Sequence, residues 1–289
     1  LRDETLQDFA AADVAGRSLV LSAFATADQG GNTLLPDDLL SFAASGSGSG
    51  RFTAPAFSWS VTDGTLTVSY GNGIEGRYRP VLGIDSVARV VLVDYVTPDG
   101  RFADLALSFG RDPSVAFAAS EIPARYFQFG VGAENGGDPR LDGFVLRLEA
   151  DGGGAQEDSF IDENGEPAQA DLAYALNWSL SGAGEVVINR YYDSSDDVSD
   201  CDPQQSQTCV LFDRRVLVPV NREGERYYWL ERRRIDSAGV DASDLQTFIA
   251  RFYDRVPLDS SKRASAARQT SGRSGQGQPA VAGRLTVQR

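Results

Sequence analysis

The sequence predicts a mostly β chain: two tandemly duplicated antiparallel β-barrel or β-sandwich domains with one or two short helices. Three observations predict this. Apolar residues alternate with period two in short runs such as Leu66-Thr-Val68-Ser-Tyr70, the pattern of a strand with one buried face. Thirty glycines and twelve prolines punctuate those runs, as turns between strands require. Finally, a series of motifs in the first part of the chain recurs, in the same order, in the second.

The repeat opens with Phe9-Ala-Ala-Ala-Asp-Val14-Ala-Gly-Arg17 against Phe117-Ala-Ala-Ser-Glu-Ile122-Pro-Ala-Arg125. Alternating runs follow, Leu19/Leu21 in the first copy and Phe127/Phe129 in the second, then Gly-Gly pairs at 30–31 and 136–137. Leu40-Ser-Phe42 running to Gly46 matches Leu146-Arg-Leu148 running to Gly152, and Phe57-Ser-Trp59-Ser-Val61 matches Leu176-Asn-Trp178-Ser-Leu180. Leu66/Val68/Tyr70 answer to Val186/Ile188/Arg190, Val91–Asp94 to Tyr228–Glu231, and Asp104-Leu105 to Asp244-Leu245. Trp59 and Trp178 are thereby expected as equivalent buried core plugs.

The units this implies are residues 1–110 and 111–258, the second lengthened by insertions near 156–171 and 193–209, which belong in loops because a strand cannot absorb them without losing register. Asp63-Gly64 marks a hairpin. Leu245, Phe248, Ile249 and Phe252 behind Ser243 have helical spacing and predict a helix over 243–254; Leu6, Phe9, Ala10 and Val14 predict a shorter one near the start. Residues 259–278 have linker composition. The segment 279–289 resembles the start of another copy, because Val281-Ala-Gly-Arg284-Leu285-Thr-Val287 repeats Val14–Leu21 less one serine. A strand of that kind gains by joining a sheet edge, so Val281, Arg284, Leu285 and Val287 are candidate assembly residues.

The order of an opening strand, the hairpin Trp59-Ser-Val-Thr-Asp-Gly-Thr-Leu-Thr-Val68 and a late helix resembles lipocalin-like β domains of bacterial exported lipoproteins. The resemblance covers most of residues 10–258 and implies barrels able to hold a small apolar ligand.

Composition narrows the chemistry. The chain has 289 residues, a formal net charge of −14, and neither His nor Met, which excludes His-based triads and His or Met metal ligation. Lys262 is the sole lysine, and residues 259–289 set six basic side chains against Asp259 alone. The body is therefore strongly acidic and repels nucleic acid and anionic lipid. No apolar stretch is long enough for a membrane-spanning helix. The first residue is Leu1, with no basic-then-apolar leader, which reads as a mature exported chain or an excised fragment.

Cys201 and Cys209, spaced C-x7-C in a polar loop, suit neither a zinc knuckle nor a redox C-x-x-C and read as a disulfide, hence an oxidising compartment. Around them Asp193, Asp196, Asp197, Asp200 and Asp202 form an acidic, turn-rich segment that is a candidate Ca²⁺ site, set against a solvated loop. Asp162–Glu166 is a second, incomplete scrap of the same kind. Gly71-Asn-Gly73-Ile-Glu-Gly76 spells a dinucleotide fingerprint, but Pro80 stops the helix such a site needs, so it reads as a turn. In Arg226–Arg234, alternation sends Tyr227, Trp229 and Glu231 to one face and Tyr228, Leu230 and Arg232 to the other, an ordinary strand rather than a nucleic-acid site. Asn177-Trp-Ser179 is an N-glycosylation sequon that reads as accidental inside a strand.

The function these readings favour is a non-enzymatic extracellular or cell-envelope structural or adhesive β-repeat protein, secreted, periplasmic or on the cell surface. Its expected partners are further copies of itself or other envelope proteins. The alternative is a lipocalin-like binding module, and the third a carboxylate-based carbohydrate-active enzyme.

Overall fold

The computed structural model describes residues 7–24, 36–128, 131–132, 140–161, 167–193, 201, 206–235 and 246–258. After a single-turn helix, α1 (Ala11–Val14), eight antiparallel strands follow: β1 (Ser18–Ser22), β2 (Asp37–Phe42), β3 (Ser47–Gly50), β4 (Phe57–Thr62), β5 (Thr65–Gly71), β6 (Ile74–Gly83), β7 (Ala88–Thr97) and β8 (Gly100–Gly110). Each pairs with the next, and β1 closes on β8 through Leu19–Gly110 and Val20–Phe109. The second copy comprises β9 (Ala124–Gln128), β10 (Val131–Gly132), β11 (Arg140–Leu148), β12 (Gly153–Ile161), β13 (Pro167–Leu180), β14 (Val186–Asp193), β15 (Cys209–Glu223), β16 (Arg226–Ile235) and β17 (Gln246–Val256). It closes because β9 pairs with both β17 and β11. The fold is thus two closed eight-stranded antiparallel barrels in tandem, within the unit Leu1–Val256. Eight strands enclose just the width that side chains can fill.

Inward positions are apolar because alternation puts every second residue there. Leu21, Leu40, Phe42, Leu66, Val68, Tyr78, Val91, Val93 and Tyr95 fill the first barrel. Tyr126, Leu146, Leu148, Val186, Ile188, Leu217, Tyr227, Trp229 and Tyr253 fill the second. Val14 and Ile122, at matching places in the opening motifs, are both fully buried.

The two copies agree down to single hydrogen bonds. Gly46 N donates to Ala43 O, and Gly152 N to Glu149 O; Trp59 N donates to Gly46 O at 2.8 Å, and Trp178 N to Gly152 O at 2.7 Å. Both glycines have φ in the left-handed region, +84° and +89°, where a Cβ would be strained. The indole Nε1 of Trp59 donates to Ala43 O at 3.0 Å and that of Trp178 to Glu149 O at 2.8 Å. Both tryptophans are half-buried rather than core plugs, because each indole must reach out to that turn.

A third apolar cluster joins the barrels. Val20, Leu39, Ala88 and Phe109 on the outside of the first meet Val216, Val218, Val220, Tyr228, Leu230 and Ala250 on the outside of the second. This contact explains the main departure from the sequence reading. Residues 246–256 are strand β17, not the end of a helix over 243–254. The strand carries apolar residues on both faces: Tyr253 belongs to the barrel core, whereas Ala250 and Phe252 face the first barrel. The resulting run Phe248-Ile249-Ala250 hides period two and mimics helical spacing.

Two of the matches between copies shift by one residue. Leu19 pairs with Leu40 and Tyr126 with the equivalent Leu146, so Ala124 and Tyr126 face inward where Phe127 and Phe129 were expected; Phe129 lies outside the described residues. Likewise Val91 answers to Trp229, not Tyr228. A shift of one residue exchanges the faces of a strand. The match of Asp244-Leu245 also falls outside the described residues.

Candidate functional site

Following the hydrogen-bonded rows from each tryptophan leads to the place where the barrels differ. In the first barrel Trp59 pairs with Val68, Val68 with Gly76 and Gly76 with Tyr95. In the second, Trp178 pairs with Ile188, Ile188 with Arg215 and Arg215 with Arg233. The adjacent row runs Val61, Leu66, Tyr78, Val93 in one copy and Leu180, Val186, Leu217, Glu231 in the other. Tyr70 corresponds to Arg190, each two residues beyond the Val68/Ile188 pair.

The first barrel fills this layer with phenols. The Tyr78 and Tyr95 hydroxyls lie 2.6 and 2.8 Å from Ser22 O and 2.8 Å from each other. Gly76 leaves the room they use, since a Cβ there would stand 2.8 Å from Tyr78 Oη. Burial holds both phenols well above their ordinary pKa, so they are neutral hydrogen-bonding groups.

The second barrel fills the same layer with ions. Asp213, fully buried, accepts from three guanidinium groups: Arg190 Nη2 at 2.8 Å, Arg215 Nη2 at 3.3 Å and Arg233 Nε at 2.6 Å. Glu231, also fully buried, has Arg251 Nε at 2.9 Å and Arg215 Nε at 3.9 Å and accepts from the Tyr253 hydroxyl at 3.3 Å. Burial alone would raise both carboxyls, but the surrounding arginines hold them below the usual carboxylate range. Both are therefore ionised. The Arg190 guanidinium lies 4.7 Å from the Tyr174 ring centre and 4.4 Å from that of Phe212, and these two rings stack 14° from parallel. Burial first, and then Arg215 beside it, push Arg190 down to about 10.

The sequence offered one signal for this layer. Alternation in Arg226–Arg234 places Glu231 with Tyr227 and Trp229, which is where it lies. Arg190, Asp213 and Arg215 carried no such signal, because only the pairing of β14, β15 and β16 brings them to Glu231.

The other expected sites fare differently. Cys201 and Cys209 are at disulfide distance, Sγ–Sγ 2.11 Å, with Cys209 heading β15 beside Asp193 at the end of β14. Asp196, Asp197, Asp200, Asp202 and the scrap Asp162–Glu166 lie outside the described residues, and among those that are described no cluster of carboxylates suited to a metal ion occurs. Val281, Arg284, Leu285 and Val287 also lie outside. Gly71–Gly76 is the turn between β5 and β6, with Gly71 opposite Ile74. Tyr191 and Tyr192 do not meet Trp229: Tyr191 Oη accepts from Asn177 Nδ2 and Tyr192 packs on Phe212, whereas Trp229 is inside the barrel. On the outside of the first barrel, Arg79, Leu92, Asp94, Arg101 and Ala103 line an open groove of about 330 Å³. Among the described residues no helix is long and apolar enough to cross a membrane.

No known protein family matches the chain, and no curated protein matches its sequence.

Proposed function

We propose that the chain is a non-enzymatic structural or adhesive β-repeat protein of an oxidising, extracytoplasmic compartment. The observation that supports this best is that both barrels are packed with side chains and joined by a shared apolar cluster. Such a body suits bearing load and spacing partners. A lipocalin-like module for an apolar ligand needs an empty interior, whereas Phe42, Tyr78 and Tyr95 occupy the first barrel and Tyr126, Tyr227 and Trp229 the second. The disulfide and the acidic surface suit an exported protein. Self-association is assigned to the segment 279–289, through Val281, Arg284, Leu285 and Val287.

Sedimentation of the full chain from 1 to 100 µM, alongside the double variant Leu285→Asp/Val287→Asp, tests this reading. Concentration-dependent assembly that the double variant loses is the expected result. A chain that stays monomeric and takes up an apolar fluorophore saturably would instead establish the binding module, and turnover of an oligosaccharide would establish the enzyme.

A further inference from the structure

The two barrels close in the same way but are covered differently. In each, the last strand is longer than the strand it closes on. Among the described residues, β1 pairs with β8 only at Phe109 and Gly110, and β9 with β17 only over residues 253–256. The rest of each last strand pairs on one side, with β7 or with β16. On β17 that stretch is covered by the first barrel. Ala250 N–H donates to Asp37 Oδ2 at 2.6 Å, and the Phe248 ring centre lies 5.4 Å from that of Phe52. Val91 pairs with Ala106 where its counterpart Trp229 pairs with Arg251, so Leu105 is the counterpart of Ala250. Their surroundings are opposite. Ala250 is 9% exposed and Leu105 62%, and Ala103 and Asp104 beside Leu105 are exposed too.

β8 therefore keeps an open edge. On the β1 side, Arg111 N–H donates to Ser18 O at 2.8 Å. Alternate residues of an antiparallel strand turn their N–H and C=O to the same side, so those of Arg101, Ala103, Leu105 and Leu107 point away from β7. Among the described residues none of these four has a backbone partner on that side, and Leu105 N–H turns to the neighbouring Asp104 Oδ1 at 2.7 Å. A row of unpaired backbone groups of this kind is a template for a further strand. Its outer face carries Ala103 and Leu105, with Leu92 opposite Leu105 on β7 and the open groove of Arg79, Asp94 and Arg101 alongside. Asp104 belongs to the other face.

We propose that the segment 279–289 of one copy pairs as an antiparallel strand with β8 of another copy, along residues 101–107. This rests on the self-association proposed above and names the surface that receives the tail. The tail carries the sequence of the strand that β8 already accepts. It repeats residues 14–21, and Leu19 and Val20 of that stretch are the ones paired with β8. Opposed residues of an antiparallel pair share a face. When Leu285 and Val287 meet Leu105 and Leu92, Arg284 and Thr286 therefore fall on the Asp104 side. The tail backbone takes over Leu105 N–H and leaves the Asp104 carboxylate to Arg284. Charge favours the meeting, because residues 259–289 are basic and the body is acidic. Residues 259–278 give the strand its reach, about 20 residues averaging roughly 25 Å. Donor and acceptor surfaces differ, so the contact is heterologous and can repeat from copy to copy.

The experiment measures sedimentation of the full chain and the anisotropy of a fluorescein-labelled peptide of residues 279–289 added to it. Both are run on the native chain, on the edge variants Leu105→Arg and Ala103→Pro, and on the tail variant Leu285→Asp/Val287→Asp. Leu82→Arg, at an exposed leucine of β6, is the control. Ala103→Pro removes an N–H that points away from β7, the position where a strand tolerates proline. The expected result is concentration-dependent assembly of the native chain and saturable binding of the peptide. Leu105→Arg and Ala103→Pro each weaken both by roughly tenfold at a near-native melting temperature, and Leu82→Arg changes neither. Assembly that the tail variant loses but both edge variants keep overturns this proposal and leaves the self-association reading standing. Assembly that the edge variants lose but the tail variant keeps means that β8 edges pair with each other, which also overturns it. A native chain that stays monomeric at every concentration overturns the proposal and the self-association reading together. If Ala103→Pro unfolds, Leu105→Arg decides alone.

Discussion

Tyr95 and Arg233 occupy one and the same place in two copies of a single barrel, each the fourth residue of a cross-strand row that begins at a tryptophan. Around Tyr95 the layer is closed by phenols; around Arg233 it is closed by ion pairs. The backbone register is common to both, so the difference lies in side-chain chemistry alone. A charged layer is no more stabilising than an apolar one of similar volume, because burial of each ion carries a desolvation penalty that pairing only offsets.

Asp213 is the member whose loss is felt most. Asp213→Asn leaves Arg190, Arg215 and Arg233 facing a neutral amide in a buried site. Breaking one partner of a buried ion group costs about 3–5 kcal/mol, and this is the expected loss in urea unfolding. Converting the layer to its counterparts in the first barrel, with Arg190→Tyr, Asp213→Ile, Arg215→Gly, Glu231→Val, Arg233→Tyr and Arg251→Ala together, is expected to cost far less than Asp213→Asn alone, since Arg251 loses its partner Glu231 and is replaced with it. A six-residue variant less stable than the single one would refute this account.

The paired tryptophan turns make a matched prediction. Trp59→Phe and Trp178→Phe each keep an aromatic ring but remove the indole N–H that bonds the turn carbonyl. Each is expected to cost about 1 kcal/mol, the net value of such a bond. Chemical denaturation measures both, and a difference above about 1 kcal/mol between them would show that the two turns are not equivalent.

How much of this was legible depends on which faces of a strand are buried. Where one face meets solvent, as in Leu66–Tyr70 or Arg226–Arg234, alternation assigns inward and outward residues without a structure. Where both faces are buried, as in Phe248–Phe252, alternation vanishes and helical spacing appears in its place. Duplication was legible because Gly46 and Gly152 need the same backbone conformation and the tryptophans the same turn. The one-residue shift at Tyr126 was not, since Phe127 and Phe129 alternate as well as Ala124 and Tyr126 do. The ionic layer was hidden because Arg190, Asp213 and Glu231 are far apart in sequence and come together only through strand pairing.

The disulfide closes a short loop at the start of β15. In the chain-entropy model a loop of this size contributes about 2–3 kcal/mol. The double variant Cys201→Ser/Cys209→Ser is expected to lose that much in urea unfolding, and the native chain to lose the same on full reduction. Equal stability of oxidised and reduced protein would make the bond dispensable.

The contact between barrels is expected to make them unfold together. Leu230 is fully buried within it, and Tyr228 and Arg226 of the second barrel reach across to Asp85 of the first. Leu230→Ala is expected to cost about 2–5 kcal/mol through lost burial and the cavity left. Calorimetry of the native chain is expected to give one transition and that of Leu230→Ala two, as the barrels uncouple. Two transitions in the native chain would show that the contact carries little coupling.

Asp37 gives that contact a pH dependence. Its Oδ2 accepts the Ala250 backbone N–H at 2.6 Å across the barrels. Burial pushes its carboxyl up to about 7, the neighbouring Asp104 and Asp38 adding to the rise while the Ala250 N–H and Arg251 oppose it. An unfolded aspartate titrates near 3.9, so the folded chain holds this proton more tightly. The stability that Asp37 contributes is therefore complete below about pH 4 and is lost as pH rises through about 7. Asp94, Asp213 and Glu231 act in the opposite sense, since their lowered carboxyls favour the fold above pH 4 and cease to do so in acid. The native chain is expected to be most stable near pH 5 and to lose melting temperature steadily from pH 5 to 8. Asp37→Asn, which cannot ionise, is expected to flatten that decline while leaving the acid limb in place. Melting curves of both proteins at half-unit pH steps decide it, and parallel declines above pH 5 would show that the Asp37 carboxyl is not the group responsible.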